Sequence, residues 1–103
     1  MSEIHHQTAA EDDLVAIWQY SFETWGADQA DRYLDGLNDG IARLAENAEL
    51  GVDCSHIREG YRRLQVLHHC VYYRVCALRI EIVRVLHERM NPDRHLIPPG
   101  GHS

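Results

Sequence analysis

Arg79-Ile-Glu-Ile-Val-Arg-Val-Leu-His-Glu-Arg-Met-Asn-Pro-Asp-Arg-His-Leu96 is the stretch from which the fold is read. It begins as a strand and ends as a polar, basic tail. Simple alternation puts Ile80, Ile82 and Leu86 on one face and Val83 and Val85 on the other. Apolar residues on both faces mean a strand covered on part of each side, which is the situation of a strand inside a sheet. The polar residues it carries towards its end, Arg84, His87, Arg89, Arg94 and His95, are the first candidates for function.

Working back from this strand, the hydrophobic period is first 2 and then 3.6. Cys70–Cys76 and Tyr61–Val66 read as two more strands, linked by Ala77-Leu78 and by Leu67-His68-His69. Three strands with short links make an antiparallel meander, although Ala77-Leu78 lacks the usual Gly or Asn of a tight turn. Residues 47–59 read as a loop, rich in turn formers. Before it, a helix over about residues 28–46 carries Ala30, Tyr33, Leu34, Leu37, Ile41, Leu44 and Ala45 on one stripe. Gly36 and Gly40 share a face of this helix. Each costs about 1 kcal/mol against alanine, so they mark either a close packing contact or an exposed face under weak selection. A preceding helix opens at Thr8, where Thr8-Ala-Ala-Glu11 fits a capping box. Its stripe is Ala10, Leu14, Ile17, Trp18, Ser21 and Trp25, and Gly26 is placed to stop it. Residues 3–7 form a short first strand.

The expected architecture is therefore α+β: a short N-terminal strand, then an antiparallel helical hairpin packed on a C-terminal three-stranded antiparallel meander, a two-layer sandwich. The Trp18, Trp25 and Leu37 side of the hairpin should cover one sheet face, leaving the other for a partner. One domain is expected over residues 1–96, followed by a flexible Pro/Gly tail over 97–103.

Composition narrows the function classes. The net charge of −6 divides unevenly: residues 1–53 hold twelve acids and two arginines, whereas residues 54–103 hold four acids and eight arginines, with six of the eight histidines. The acidic total argues against broad nucleic-acid binding. Lysine is absent. Arginine alone suits fixed, bidentate contacts to carboxylate or phosphate; GC-rich coding is the competing explanation. No apolar run reaches membrane-spanning length and the N-terminus lacks a signal pattern, so a cytoplasmic location is expected. Cys54, Cys70 and Cys76 have no CxxC spacing, and the last two would lie about 20 Å apart on one strand, so all three are expected reduced. His5-His6 and His68-His69 are adjacent pairs pointing to opposite faces, and no thiol or carboxylate falls at ligand spacing, so no metal or other cofactor is expected. No glycine-rich phosphate loop or nucleophile elbow occurs. Tyr72-Tyr73 reads as sheet packing rather than a base-stacking platform.

Taken in order, the motifs resemble the ParE toxins within the RelE/ParE superfamily of type II toxin–antitoxin systems. The residues carrying the resemblance are Ala10-Glu11, Asp13-Leu14, Ile17-Trp18-Gln19-Tyr20, Trp25-Gly26, Arg32-Tyr33-Leu34, Arg43-Leu44-Ala45-Glu46-Asn47, Glu49-Leu50-Gly51, Gly60-Tyr-Arg-Arg-Leu64, Tyr73-Arg74-Val75 and Ile80 through Leu96. It covers the chain from about Thr8 to Leu96. Departures are His6 in place of an aliphatic residue, Ala48 in place of a proline, Cys54 in the loop and the histidine pair in a tight turn.

The resemblance implies a toxin that inhibits DNA gyrase and blocks replication, held silent in a hetero-oligomer by a ParD-like antitoxin. That partner is a ribbon-helix-helix dimer whose C-terminal segment folds on the toxin. Candidate target contacts are Arg84, His87, Arg89, Met90, Arg94 and His95. Candidate antitoxin contacts are Tyr20, Trp25, Tyr33, Arg62, Arg63, Tyr72 and Arg74. Ribosome-dependent endoribonucleases of the RelE type share the fold, and in that alternative Arg62, Arg84 and His87 would carry the chemistry. No second acid/base partner is visible for His87, so the expectation is a toxin that acts by binding and has no catalytic residues.

Overall fold

The structure, a computed structural model, describes residues 2–96; the tail expected over 97–103 lies outside them. Five strands form one sheet: β1 (Glu3–His6), β2 (Val52–Asp53), β3 (Tyr61–Val66), β4 (His69–Cys76) and β5 (Arg79–His87). Their order is β1-β5-β4-β3-β2. The meander read from the alternation is present as antiparallel β3, β4 and β5. Two strands extend it. β1 lies parallel to β5, from Glu3 opposite Arg79 to His6 opposite Ile82. β2 lies within the segment expected to be a loop, and pairs Val52 and Asp53 with Arg63 and Arg62. A two-residue strand is too short to leave a period in the sequence.

Two helices cover the sheet, α1 (Thr8–Trp25) and α2 (Ala27–Ala42). Gly26 alone joins them, at φ +93°, a conformation that suits glycine. Its N–H donates to the Phe22 carbonyl and its own carbonyl accepts from Ala30 N–H, so one residue closes both helix ends. α2 is shorter than expected, because Arg43–Ala45 tighten into a 3₁₀ turn that drives Leu44 into the core. The expected capping box does not form. The N-cap of α1 is Gln7, in extended conformation and without a side-chain cap bond. Gln7 is held by the sheet instead: its N–H donates to the Ile82 carbonyl and its Nε2 to Glu81 Oε1.

Between helices and sheet lies a cluster of Ala10, Ile41, Leu44, Val71, Tyr73, Ile80, Ile82 and Val85, with Leu14, Ile17, Leu64 and Val66 packed against it. Gly40 permits this close contact, since a Cβ there would stand 2.6 Å from Val66 Cγ2. Of the two readings of the α2 glycines, close packing is the one observed at this position. Trp18 and Trp25 do not face the sheet as expected. Trp18 sits about 100° round α1 from the sheet-facing Ile17, where it stacks on Phe22 and donates Nε1–H to Asp31. Trp25, in the last turn of α1, is exposed.

A bulge corrects the expected faces of β5. Tyr73 pairs with Ile82 but Tyr72 pairs with Arg84, so Val83 is an extra residue. Beyond it the alternation reverses. Val85 joins Ile80 and Ile82 in the helix-side core, while Leu86 joins a second cluster on the opposite face with Cys54, Cys70, Tyr72 and Leu96. That outer face is thus partly closed by the chain itself, from the loop containing Cys54 and Ile57 and from the C-terminal segment. After a turn at 88–90 the chain forms a single helical turn, α3 (Pro92–His95), and Leu96 folds back against the sheet instead of leaving it. All three cysteines are free thiols.

Candidate functional site

Three constellations account for most of the polar residues singled out above. The first lies at the edge of β5. β1 stops at His6, so β5 has no strand neighbour on that side past the bulge. Asp13, on α1, takes over: its Oδ2 accepts from Val85 N–H at 2.9 Å and from Arg84 Nε at 2.7 Å, and its Oδ1 accepts from Arg84 Nη2 at 2.9 Å. Arg84 Nη1 also donates to the His95 carbonyl at 3.0 Å, which pins α3. The two side chains are only 24% and 15% exposed, so this ion pair is largely withdrawn from water. Every nitrogen of the Arg84 guanidinium has a protein acceptor.

The second constellation surrounds Gly51. Arg62 Nε and Nη2 donate to the Gly51 carbonyl at 3.1 and 2.8 Å. Tyr73 Oη donates to the Ala48 carbonyl and accepts from Gly51 N–H. A side chain at residue 51 would collide with that hydroxyl and with the Arg63 carbonyl, each 2.7 Å from a Cβ there. Arg62 therefore fixes a loop, and Tyr73 is a core tyrosine, in keeping with the sheet-packing reading.

The third is a groove of about 350 Å³ between the C-terminal half of α1, the start of α2 and the β3–β4 turn, lined by Ile17, Tyr20, Ser21, Trp25, Tyr33, His68, His69 and His87. Its mouth is aromatic: Tyr20 is 65% exposed and Trp25 61%, and the two are in edge contact. Its sheet wall is polar. His69 and His87 are cross-strand partners with ring centroids 5.3 Å apart. Tyr33 Oη meets His69 Nδ1 at 2.7 Å and accepts from His68 N–H at 3.1 Å. Burial, aided by the neighbouring His87 and His68, pulls the His69 pKa down to about 4. Burial pushes Tyr33 the other way, above the usual phenol value. Both rings are thereby kept neutral. Glu88 turns outwards, to His68 Nδ1 and Gln65 Nε2, and the His68 bond holds its carboxyl below the usual range.

The expected antitoxin contacts are divided by the sheet. Tyr20, Trp25 and Tyr33 gather in the groove. Arg63, Tyr72 and Arg74 belong to the opposite face, where Tyr72, 3% exposed, is core and offers no surface. Arg74 and Arg79 share Glu81 at 2.8 Å each, and the Arg74 bond keeps that carboxyl below its ordinary value. Among the expected target contacts, Arg89, Met90 and Arg94 are exposed, His87 lines the groove, and Arg84 is held by Asp13. The three residues of the nuclease alternative are not brought together. Arg62 lies four residues along the sheet and two strands across from the level of His87, roughly 16 Å by strand geometry. Ile17, Ser21, His68 and His69 were missed as groove residues. His69 carried the one usable signal, a histidine closing a short hairpin near a second histidine, but the bulge that places it opposite His87 leaves no mark in the sequence. No cluster of three potential metal ligands occurs among the described residues, and no helix among them is long and apolar enough to cross a membrane.

Comparison with known proteins adds to this geometry. A family model described as "ParE toxin of type II toxin-antitoxin system, parDE" matches residues 5–92. Toxin ParE1 of Mycobacterium tuberculosis is 45% identical over 89 residues, covering 85% of this chain and 91% of that protein. Toxin ParE1 of Caulobacter vibrioides is 44% identical over 87 residues, covering 84% and 90%. In fold, the chain is similar to a solved structure from the chromosomal ParDE TA system of P. aeruginosa, with a TM-score of 0.76 at 21% identity, covering 84% of this chain and 96% of that one.

Proposed function

The chain belongs to the ParE toxin family of type II toxin–antitoxin systems, and from that premise we propose that it arrests growth by binding DNA gyrase and is silenced by a ParD-like antitoxin seated in the aromatic groove. The observation that carries the second part is the exposure of Tyr20 and Trp25 beside an apolar cleft. A monomer rarely leaves large aromatic side chains clustered in water without a partner to cover them. A segment that folds on binding suits such a groove, because side-chain anchors in a preformed cleft offset its ordering entropy.

The target surface is the exposed part of the C-terminal segment, Arg89, Met90 and Arg94. These side chains are held out by a scaffold that the Asp13–Arg84 pair and Leu96 fix in place. Arg84 supports this surface and is not part of it. Action by binding is favoured over ribonuclease chemistry because Arg62, Arg84 and His87 lie apart, and two of them are committed to structural bonds. The complex with antitoxin is a hetero-oligomer in the cytoplasm.

The test is gyrase supercoiling with the purified protein at micromolar concentration. Inhibition, relieved by one equivalent of the cognate antitoxin and weakened by Arg89→Glu/Arg94→Glu, is the expected result. Undisturbed supercoiling refutes the target, and codon-phased cuts in translated mRNA after induction would establish the nuclease instead.

A further inference from the structure

The groove's sheet wall has a chemical polarity that its apolar character conceals. Tyr33 Oη accepts from His68 N–H, which leaves its own hydrogen to donate to His69 Nδ1. Arg89 N–H donates to His87 Nδ1 at 3.1 Å. Each neutral ring must then carry its proton on Nε2. Neither Nε2 has a partner among the described residues. The groove thus presents two N–H donors with no acceptor opposite them. The acids nearest in the fold are spent elsewhere, Asp13 on Arg84 and Glu88 on His68 and Gln65. The other ionisable groups that face His69 are Tyr33 from α2, His68 from the turn and His87 from β5, and none supplies a negative charge at neutral pH.

We propose that His69 and His87 are the pair through which the groove recognises a carboxylate of the antitoxin segment, so that complex formation takes up a proton. This rests on the preceding assignment of the groove to the antitoxin and specifies its chemistry: a large apolar residue enters between Ile17, Tyr20 and Trp25, and an adjacent Asp or Glu side chain lies against the imidazoles. In the free toxin a charge on His69 is opposed by burial and by its neighbouring rings. A carboxylate brought into the same low-dielectric cleft reverses that balance, and the ring becomes an imidazolium bonded to it.

The experiment is titration calorimetry of the full chain with its cognate antitoxin, at pH 6.5, in two buffers of different ionisation enthalpy, repeated at pH 8. The expected result is uptake of up to one proton per complex. Full uptake of one proton changes affinity about tenfold per pH unit, or about thirtyfold from pH 8 to 6.5; with uptake only partial at pH 8, Kd should tighten by about three- to tenfold. Nitrogen-15 imidazole spectra of the complex should show His69 protonated on both nitrogens, with Tyr33 Oη turned to accept from Nδ1. His69→Gln/His87→Gln should remove the proton uptake. A complex that forms with the same affinity at both pH values, with both rings still neutral, overturns the carboxylate pair and leaves the groove assignment standing. Proton uptake that persists in the double variant overturns it too. No complex at either pH overturns both readings.

Discussion

Replacing Asp13 with alanine should be the most damaging single polar substitution in this protein. The carboxylate accepts three hydrogen bonds, two from Arg84 and one from Val85 N–H. Its loss strands a mostly buried guanidinium and a backbone donor at a bulge. Removing one partner of a buried ion pair costs about 3–5 kcal/mol, and an unsatisfied buried donor about 1–3 kcal/mol. Two facts reduce the sum. Arg84 is 24% exposed, so water recovers part of its solvation, and Nη1 keeps the His95 carbonyl. The net expectation is about 3 kcal/mol. In a domain of this size that lowers Tm by about 12–24 °C. Asp13→Asn keeps an acceptor for Val85 and should lose about half as much. Urea and thermal denaturation followed by circular dichroism measure both. An Asp13→Ala protein within about 0.5 kcal/mol of the native one would refute the assignment of Arg84 to the scaffold, and would return it to the target surface.

The other predictions concern the sheet and its histidines. His6 Nε2 is buried without a hydrogen-bond partner among the described residues, so His6→Leu should stabilise by about 1 kcal/mol; destabilisation in urea would mean that the nitrogen has a partner. Gly40→Ala should destabilise by about 1–3 kcal/mol despite its better helix propensity, because the new Cβ meets both Val66 methyl carbons at 2.6 and 2.7 Å. Val66→Ala should suppress that loss, and additive losses would contradict the packing account. His69 titrates near 4 when folded and near 6.5 in its ordinary state. Between those values the unfolded chain holds a proton that the folded chain does not, so stability is full above pH 6.5 and declines as pH falls towards 4. With part of the ring open to solvent the decline should not exceed about 2 kcal/mol. His69→Gln should flatten it, and an unchanged slope would place the titration elsewhere.

The hairpin and meander were legible because their signals are local and repeated. The stripe Ala10, Leu14, Ile17 and Ser21 and the alternation of β3 and β4 each extend over several turns or pairs. Trp18 was misplaced because a stripe read by spacing alone does not distinguish a residue facing the sheet from one a single position round the helix. The capping box failed for a tertiary reason: the sheet claims Gln7 and sets the start of α1, leaving Thr8 already inside the helix. The bulge at Val83 was the costliest omission. One extra residue exchanged the faces of Val85 and Leu86 and set His87 opposite His69, which completes the groove wall. What makes the bulge tenable is Asp13, far away in sequence, whose carboxylate takes the freed Val85 N–H. A strand-period reading has no access to such a contact. Ala77, at φ +52°, and Leu67, at φ +56°, likewise occupy turn positions where glycine or asparagine is usual, so the turns were found by the flanking strands and not by their own residues.

The groove is best tested by the affinity of the cognate antitoxin for the Tyr20→Asp/Trp25→Asp variant, measured against the native toxin. Both side chains are already in water, so the variant should fold with native stability. Burying two new carboxylates where aromatic anchors should sit predicts a loss of at least about 100-fold in Kd, with the toxin still able to arrest growth and no longer neutralised. An affinity within about threefold of native, with neutralisation intact, would contradict the placement of the antitoxin in this groove.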